Sequence, residues 1–341
     1  MKAKHLLFLL AIFLFTSLSL FARRSETGPE DIIPVKLFDK KLLAKNSVIK
    51  CEFKQFGYQF GNPNGEGNRL RTIRYNQNGD TLEVLYFDEG QLDRKHIRKY
   101  NDAGALTEAA NYNPEGELLD KMKYVYDAQG RNSEVWSFKD DQVPEYKDKR
   151  TFDENGMLIK ETRFLEAEIE RNISFKYNDR KQQTEMLNYS GDGELRSKVS
   201  TRYDAKGNKT DLIVYEGGEI DSKSKFVYDN NNNLIEEWYH AGDGSLKSKK
   251  SYKYDAKNQM IEEAFFDDSE ALIQKFEYKL RDDGTILEVA IYEGNNLVNT
   301  WKFTFCHPDG LLKQATWYNN IDEPTMHIEL KYQPPQSGEK E

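Results

Sequence analysis

The residues Tyr254-Asp255-Ala256-Lys257-Asn258 are one copy of a phrase that runs through the whole chain. It returns as Tyr75-Asn76-Gln77-Asn78-Gly79, Tyr100-Asn101-Asp102-Ala103-Gly104, Tyr126-Asp127-Ala128-Gln129-Gly130 and Tyr203-Asp204-Ala205-Lys206-Gly207. Looser copies start at Phe152, Tyr177, Tyr228, Tyr278 and Phe305, and neighbouring copies start 24 to 27 residues apart. A period held that tightly marks a repeat architecture, in which each unit buries its apolar face only against its neighbours.

Within a unit the pattern is that of a β-hairpin. Between Tyr100 and Tyr126, Asn101-Asp102-Ala103-Gly104 reads as a turn, Leu106 to Tyr112 as a strand, Asn113-Pro114-Glu115-Gly116 as a second turn, and Leu118 to Tyr126 as a second strand. Glycine supplies the positive φ such turns need. The closing strands alternate aromatics at i and i+2, as in Phe175-Lys176-Tyr177 and Tyr252-Lys253-Tyr254, which suits one face of a pleated surface. Acidic residues recur eight positions after the opening aromatic: Glu83, Glu108, Glu134, Glu185, Asp211, Glu236 and Glu262. Lysines recur 20 or 21 after it: Lys95, Lys121, Lys147, Lys198, Lys223, Lys249 and Lys275. The midpoint of each pair tested falls in the intervening turn, so the two are expected to face each other directly across a hairpin, a contact that sets register more than it stabilises.

The expected fold is therefore all-β: an antiparallel meander of about twenty short strands from ten hairpin repeats of ~26 residues, too long to stay open and flat. It is expected to curl into a spiral or elongated strip, with Leu106, Leu118, Leu234, Leu246 and Met260 among the residues filling the concave side. A five-bladed propeller with two units per blade is the alternative. A membrane β-barrel is disfavoured because every unit places Lys and Glu in mid-strand.

The ends divide the chain further. Lys2 and Lys4 precede an apolar run from Leu6 to Phe15, and Ala22 is a plausible last residue before cleavage, so 1–22 reads as an export signal and 23–47 as a linker with a short packed segment around Val35 to Leu43. The repeat domain is assigned to 48–332, with a first strand over Val48 to Phe53 and a glycine-rich loop over Gly57 to Gly67; 333–341 is a polar tail. Of 341 residues, 49 are Lys or Arg and 58 Asp or Glu, a net charge of −9. Removal of Lys2 and Lys4 makes it −11, which disfavours nucleic acid as a partner. No membrane span is expected after cleavage. Cys51 and Cys306, the only cysteines, lie at opposite ends of the array and would meet only if it closed on itself.

The phrase Tyr-Asp-x-x-Gly-x-Leu-x-Glu with a closing Tyr-x-Tyr-Asp, clearest at Tyr126 and Tyr203, resembles the YD (Rhs) repeats of bacterial surface and toxin proteins. The resemblance covers about Tyr75 to Tyr332. It implies a spiralling β-strip that encloses a toxin domain or binds carbohydrate at cell surfaces; no effector domain follows Tyr332 here.

Sites for chemistry are sparse. No Gly-x-Ser-x-Gly is present, and Cys306-His307 are neighbours rather than a nucleophile and base placed across a fold. His96, His240, His307 and His327 fall at different phases of the repeat, so no metal site is expected. Asp229-Asn230-Asn231-Asn232-Asn233 starts like a calcium loop but has His240 where the bidentate Glu belongs. No cofactor is expected. Trp136, Trp238, Tyr239, Trp301, Trp317 and Tyr318 are the candidate ligand-binding residues, because aromatics beside polar groups suit sugar or peptide recognition. The favoured function is an exported, non-catalytic scaffold that binds a carbohydrate or a cell-surface protein in the periplasm, on the outer surface or outside the cell. The rival is an enzyme, or enzyme accessory, acting on envelope polysaccharide through paired carboxylates, with Glu236-Glu237 and Glu262-Glu263 the nearest pairs.

Overall fold

The structure is a computed structural model that describes residues 40–140, 142–306 and 310–335. The expected signal segment, residues 23–39 of the linker, His307 and the end of the tail lie outside the described residues. A short helix, α1 (Lys40–Lys45), precedes β1 (Lys50–Gln59) and β2 (Asn62–Tyr75). Then follow β3 (Thr81–Asp88), β4 (Gln91–Tyr100), β5 (Leu106–Tyr112), β6 (Leu118–Tyr126), β7 (Asn132–Phe138), β8 (Pro144–Phe152), β9 (Leu158–Leu165) and β10 (Glu168–Tyr177). The middle of the array is β11 (Gln183–Ser190), β12 (Leu195–Tyr203), β13 (Lys209–Glu216), β14 (Glu219–Tyr228), β15 (Leu234–Ala241) and β16 (Leu246–Tyr254). It ends with β17 (Met260–Phe266), β18 (Leu272–Leu280), β19 (Ile286–Glu293), β20 (Asn296–Phe305), β21 (Leu312–Asn319) and β22 (Pro324–Gln333).

All 22 strands belong to one antiparallel sheet, each paired with its sequence neighbours. The expected strip is corrected at its ends: β1 also pairs with β22, from Lys50↔Gln333 to Gly57↔Met326. The sheet closes into a barrel; it is neither a spiral, an elongated strip nor a propeller. Closure satisfies the two rows of backbone groups that an open strip would leave at its edges. The glycine-rich stretch is also not a loop. β2 begins at Asn62, and the hairpin turns at Phe60-Gly61, which have φ of 52° and 76°. The described part of the expected packed segment, from Lys40 on, is helical, with Leu43 3% exposed.

Alternation gives the sheet two distinct faces. One carries Cys51, Phe53, Ile73, Val84, Val135, Val199, Val214, Phe276, Val289, Trp301, Ala315, Ile328 and Leu330, all buried. This is the face the barrel encloses. The other carries the Glu/Lys series together with more exposed lysines such as Lys99 and Lys253, whose side chains are 63% and 66% exposed, and is the outer wall. The enclosed face is not uniformly apolar. On β8 and β9, Asp148 accepts two hydrogen bonds of 2.7 Å from Arg163, whose guanidinium lies 3.9 Å from the Tyr146 ring centre. Leu106, Leu118, Leu234, Leu246 and Met260, expected to fill the concave side, are only half-buried.

The repeated phrase acts as a lock between successive hairpins. The opening tyrosine donates its hydroxyl to the first carbonyls of the preceding hairpin: Tyr126 to Leu106 at 2.8 Å, Tyr177 to Leu158 at 2.7 Å, Tyr203 to Gln183 at 2.8 Å and Tyr254 to Leu234 at 2.8 Å. The Asp or Asn that follows caps its own turn; Asp255 Oδ1 accepts from the backbone N–H of Lys257 at 2.8 Å and Gln259 at 2.9 Å. Gly79 has φ of +77°, and a Cβ there would lie 2.4 Å from the Lys40 carbonyl oxygen. This turn needs glycine both for its backbone conformation and for the close approach of α1. Further contacts join one turn to the next, as in Gln182 Nε2 to the Gly207 carbonyl at 2.8 Å and Asn233 Nδ2 to Asn258 Oδ1 at 2.9 Å.

The charge pairs occur, with a corrected register. Glu108 faces Lys123 and Ala110 faces Lys121, so the expected partners are diagonal rather than opposed. A bulge in each hairpin, here between Asn111 and Tyr112, adds a residue that midpoint counting ignores. The diagonal is still within reach: Lys95–Glu83 is 3.0 Å, Lys147–Glu134 2.9 Å, Lys198–Glu185 2.6 Å and Lys249–Glu236 3.0 Å. Several glutamates also take the basic residue of the strand before, as Glu185 does from Lys176 at 2.6 Å.

Candidate functional site

The outer wall has a repeating grain. Each ladder lysine lies directly opposite an aromatic or His240 on the following strand: Lys95↔Tyr112, Lys121↔Phe138, Lys147↔Phe164, Lys198↔Tyr215, Lys223↔His240, Lys249↔Phe266 and Lys275↔Tyr292. The ammonium lies over the ring, 4.9 Å from the Phe138 centre for Lys121, 5.7 Å from Phe266 for Lys249 and 4.1 Å from Tyr292 for Lys275. Lys95, Lys147, Lys198 and Lys249 also reach a ladder glutamate, so the stems cover part of the wall. Acidic residues concentrate instead in the turns, at Asp127, Asp153, Asp204, Asp229 and Asp255 on one rim and at Glu89, Glu166 and Asp192 on the other. The chain is acidic overall, yet its outer wall is a basic belt between acidic rims.

Two places break the grain. Trp136 on β7 lies between Lys123 and Lys147, its register partners on either side. Trp238 on β15 lies in the same way between Lys225 and Lys249. In both, the indole Nε1 donates to a glutamate two residues back, Glu134 or Glu236, at 3.0 Å. Lys147 and Lys249 sit over the indole at 4.5 and 4.2 Å from the ring centre. Burial pushes the Glu236 carboxyl up, but hydrogen bonds from Lys249 and Trp238 outweigh it and hold the group below the ordinary carboxylate range. The lysines on the other flank, Lys123 and Lys225, are exposed and form no ion pair among the described residues. Each site thus presents a half-buried indole, oriented by its own glutamate, beside an exposed lysine with no carboxylate partner among the described residues; the Lys123 ammonium also lies 5.2 Å from the Phe138 ring centre. That combination can stack on an apolar ring face and neutralise an anion attached to it.

The other four candidate aromatics are placed elsewhere. Trp301 is 1% exposed on the enclosed face, with its ring centre 4.7 Å from that of Trp317 at 72°; the pair packs the interior. Tyr239 is half-buried on the enclosed face, the opposite side of the sheet from Trp238. Tyr318 is on the outer wall with Lys302 4.0 Å from its ring centre, but that lysine is committed to Asp322 at 2.6 Å. The structure therefore does not bring the six together. Lys123 and Lys225 were missed in the sequence, where their signal is a Lys-x-Lys pair on the strand before a tryptophan strand.

The acidic pairs are divided by the sheet. Glu236 faces outward, whereas Glu237 faces inward and accepts the Tyr252 hydroxyl at 2.7 Å. The same parity separates Glu262, bonded to Lys253 at 2.9 Å, from Glu263. The Asp229 carboxylate caps its own turn, accepting from Asn233 N and Nδ2 at 2.8 and 2.9 Å. His96 is bonded to Asn111 Oδ1 at 2.8 Å through Nδ1 and accepts Arg98 Nε at 3.0 Å. His327 is stacked on Phe56 with ring centres 4.8 Å apart. Among the described residues no group of His, Cys, Asp and Glu has the arrangement of a metal site.

No known protein family and no curated protein matches the sequence. Weak likenesses exist among solved structures. The crystal structure of TcdB2-TccC3-Cdc42 aligns at a TM-score of 0.35 and 14% identity over 76% of this chain, which spans 16% of that one. The Photorhabdus luminescens Tc holotoxin pore aligns at 0.36 and 13% identity, again over 76% of this chain and 16% of that one. A porin-like protein from Bacteroides uniformis aligns at 0.28 and 12% identity, covering 84% of this chain and 98% of its own. The chain thus spans about a sixth of the Tc-toxin chains it is similar to. At these scores no argument is drawn from the likenesses.

Proposed function

We propose that the protein is an exported, non-catalytic scaffold of YD type whose outer wall binds an acidic carbohydrate of the cell envelope or its surroundings. The observation that carries this reading is the pair of lysine-flanked tryptophans. Trp136 and Trp238 recur in the same register, each with an oriented indole and an exposed lysine that forms no ion pair among the described residues. Lys147 and Lys249 cover the indoles, and Lys123 also lies 5.2 Å from the Phe138 ring centre; ring packing accounts for those three, and it leaves the exposed Lys225 opposite the second indole. The hydroxylated ring of a sugar has an apolar face for the indole, and a uronate or phosphate substituent has the charge for the lysine.

The reading of a membrane-spanning barrel is not favoured. The outer wall has Glu134, Lys147, Glu185 and Lys198 in mid-strand, where each charge facing lipid would cost about 2–4 kcal/mol for a basic residue and less for an acidic one. The enclosed face has Asp148 and Arg163 in mid-strand, so neither side offers a continuous apolar band. The rival reading of an enzyme acting through adjacent carboxylates loses its candidates, because Glu236 and Glu237 lie on opposite sides of the sheet.

The test is a glycan array probed with the chain from residue 23 onward, with oligothymidylate as a competitor. Retention on uronic-acid or phosphorylated glycans, absent on neutral ones and reduced at least tenfold by Lys123→Gln with Lys225→Gln, is the expected outcome. Binding to neutral and acidic glycans alike, equal competition by oligothymidylate, or no binding to any glycan would overturn it.

A further inference from the structure

The two sites lie on one wall, and their separation follows from the sheet. β7 and β15 are eight strands apart in an unbroken meander. With neighbouring strands ~4.8 Å apart, the indoles are about 38 Å from each other along the wall. Between and beside them the ladder row carries Lys147, Lys198 and Lys249, each paired with a glutamate of the same wall, and Lys223; the row is interrupted at β10, where Asn172 takes the lysine's place opposite Tyr189. Successive basic positions in this row are two strands, or about 10 Å, apart. The turns above and below carry the acids, so an anionic chain is attracted to the belt and repelled from both rims. A ligand small enough for one indole would leave the second site and the row between them without a purpose. Lys223, in that row, forms no ion pair among the described residues.

We infer that the ligand is a linear polyanionic polysaccharide that lies around the barrel along this belt and engages Trp136 and Trp238 together. This rests on the reading of the two sites as acidic-carbohydrate sites, and adds that they act as one bivalent surface. Once one end is held at the first indole, the second binding step is intramolecular. Its effective concentration is set by the length of polymer between the sites, and the gain over a single-site ligand is expected to be about a hundredfold or more.

The experiment compares polygalacturonate with trigalacturonate, both titrated into the chain from residue 23 onward by calorimetry. Expected are two equivalent sites for the short acid and an affinity about a hundredfold or more higher for the polymer. Lys123→Gln alone and Lys225→Gln alone, both at exposed positions without an ion pair among the described residues, should each halve the stoichiometry for the short acid at an unchanged melting temperature. Each should also reduce the polymer's affinity to nearly that of the short acid, and the double variant should bind neither. Polymer affinity equal to that of the short acid, or unaffected by either single substitution, would overturn the bivalent inference while leaving the site reading intact. Binding of neither ligand would overturn both.

Discussion

Replacing Tyr126, Tyr203 and Tyr254 by Phe tests whether the repeated phrase is a lock between hairpins rather than a turn signal alone. Each substitution deletes one hydroxyl and leaves the ring. The bonds removed are those to the carbonyls of Leu106, Gln183 and Leu234, each 2.8 Å long. Burial raises the Tyr203 and Tyr254 hydroxyls above their ordinary pKa, so these bonds are neutral ones in partly desolvated surroundings. A neutral bond of this kind contributes about 0.5–1.5 kcal/mol net. The three tyrosines are in separate units with no shared partner, so their effects should add, to about 1.5–4.5 kcal/mol in the triple variant. With a urea slope of about 3 kcal/mol/M, a loss near the middle of that range moves the unfolding midpoint down by about 1 M. Tyr215→Phe, on the outer wall beside Lys198, is the control and should shift it little. A triple variant whose midpoint falls within the spread of that control, at unchanged slope, would refute the lock.

Other outcomes follow from the same structure. Asp148→Ala leaves the Arg163 guanidinium unpaired on the enclosed face, where Asp148 is 5% exposed, and should cost about 3–5 kcal/mol in urea unfolding, with Asp148→Leu plus Arg163→Met costing less. The Glu185 carboxyl is held below its ordinary range by hydrogen bonds from Lys176 and then Lys198. Its contribution is therefore present above the unfolded carboxylate pKa of about 4.3 and is lost as pH falls through the lower folded value. The wild-type midpoint should drop between about pH 5 and 3, and that of Glu185→Gln should drop less. Gly191→Ala would place a Cβ 1.9 Å from the Ile169 carbonyl oxygen, and Gly242→Ala the same distance from that of Ile220. Each should destabilise by about 1–3 kcal/mol through forced backbone separation, read as a lowered melting temperature.

Strand number and pairing order were legible because they depend on local pattern: turn residues at Asn101 to Gly104 and alternation over Leu118 to Tyr126 recur in every unit. Closure was not legible in the same way. It depends on Cys51↔Tyr332 and Phe53↔Leu330 meeting across the whole array, and no short-range spacing encodes a contact between first and last strands. The register error has a similar origin, since a bulge changes the count by one without altering the hydrophobic alternation. The glycine-rich Gly57 to Gly67 misled because glycine signals a loop by default, whereas here Gly65 and Gly67 sit in β2 with φ of 75° and 73°. Of the six aromatics, two proved to lie opposite exposed lysines that form no ion pair among the described residues. Composition alone could not separate these from Trp301, because facing outward or inward is decided by parity within a strand.

The pairing of β1 with β22 also bears on how the chain reaches its final form. Ten of the hairpin-to-hairpin contacts join segments a few residues apart, while this one must gather ends some 280 residues distant, about five doublings further and ~3 kcal/mol more in loop-closure entropy. The largest fully buried side chains, Cys51 at 0%, Trp301 at 1%, Ile328 at 0% and Leu312 at 0%, lie on β1 and on the last three strands. One fully covered side chain of that size offsets the difference. Contacts so remote in sequence form late, so ring completion should be the slow step of folding, and the greasiest stretch of the molecule is where the circle is drawn shut.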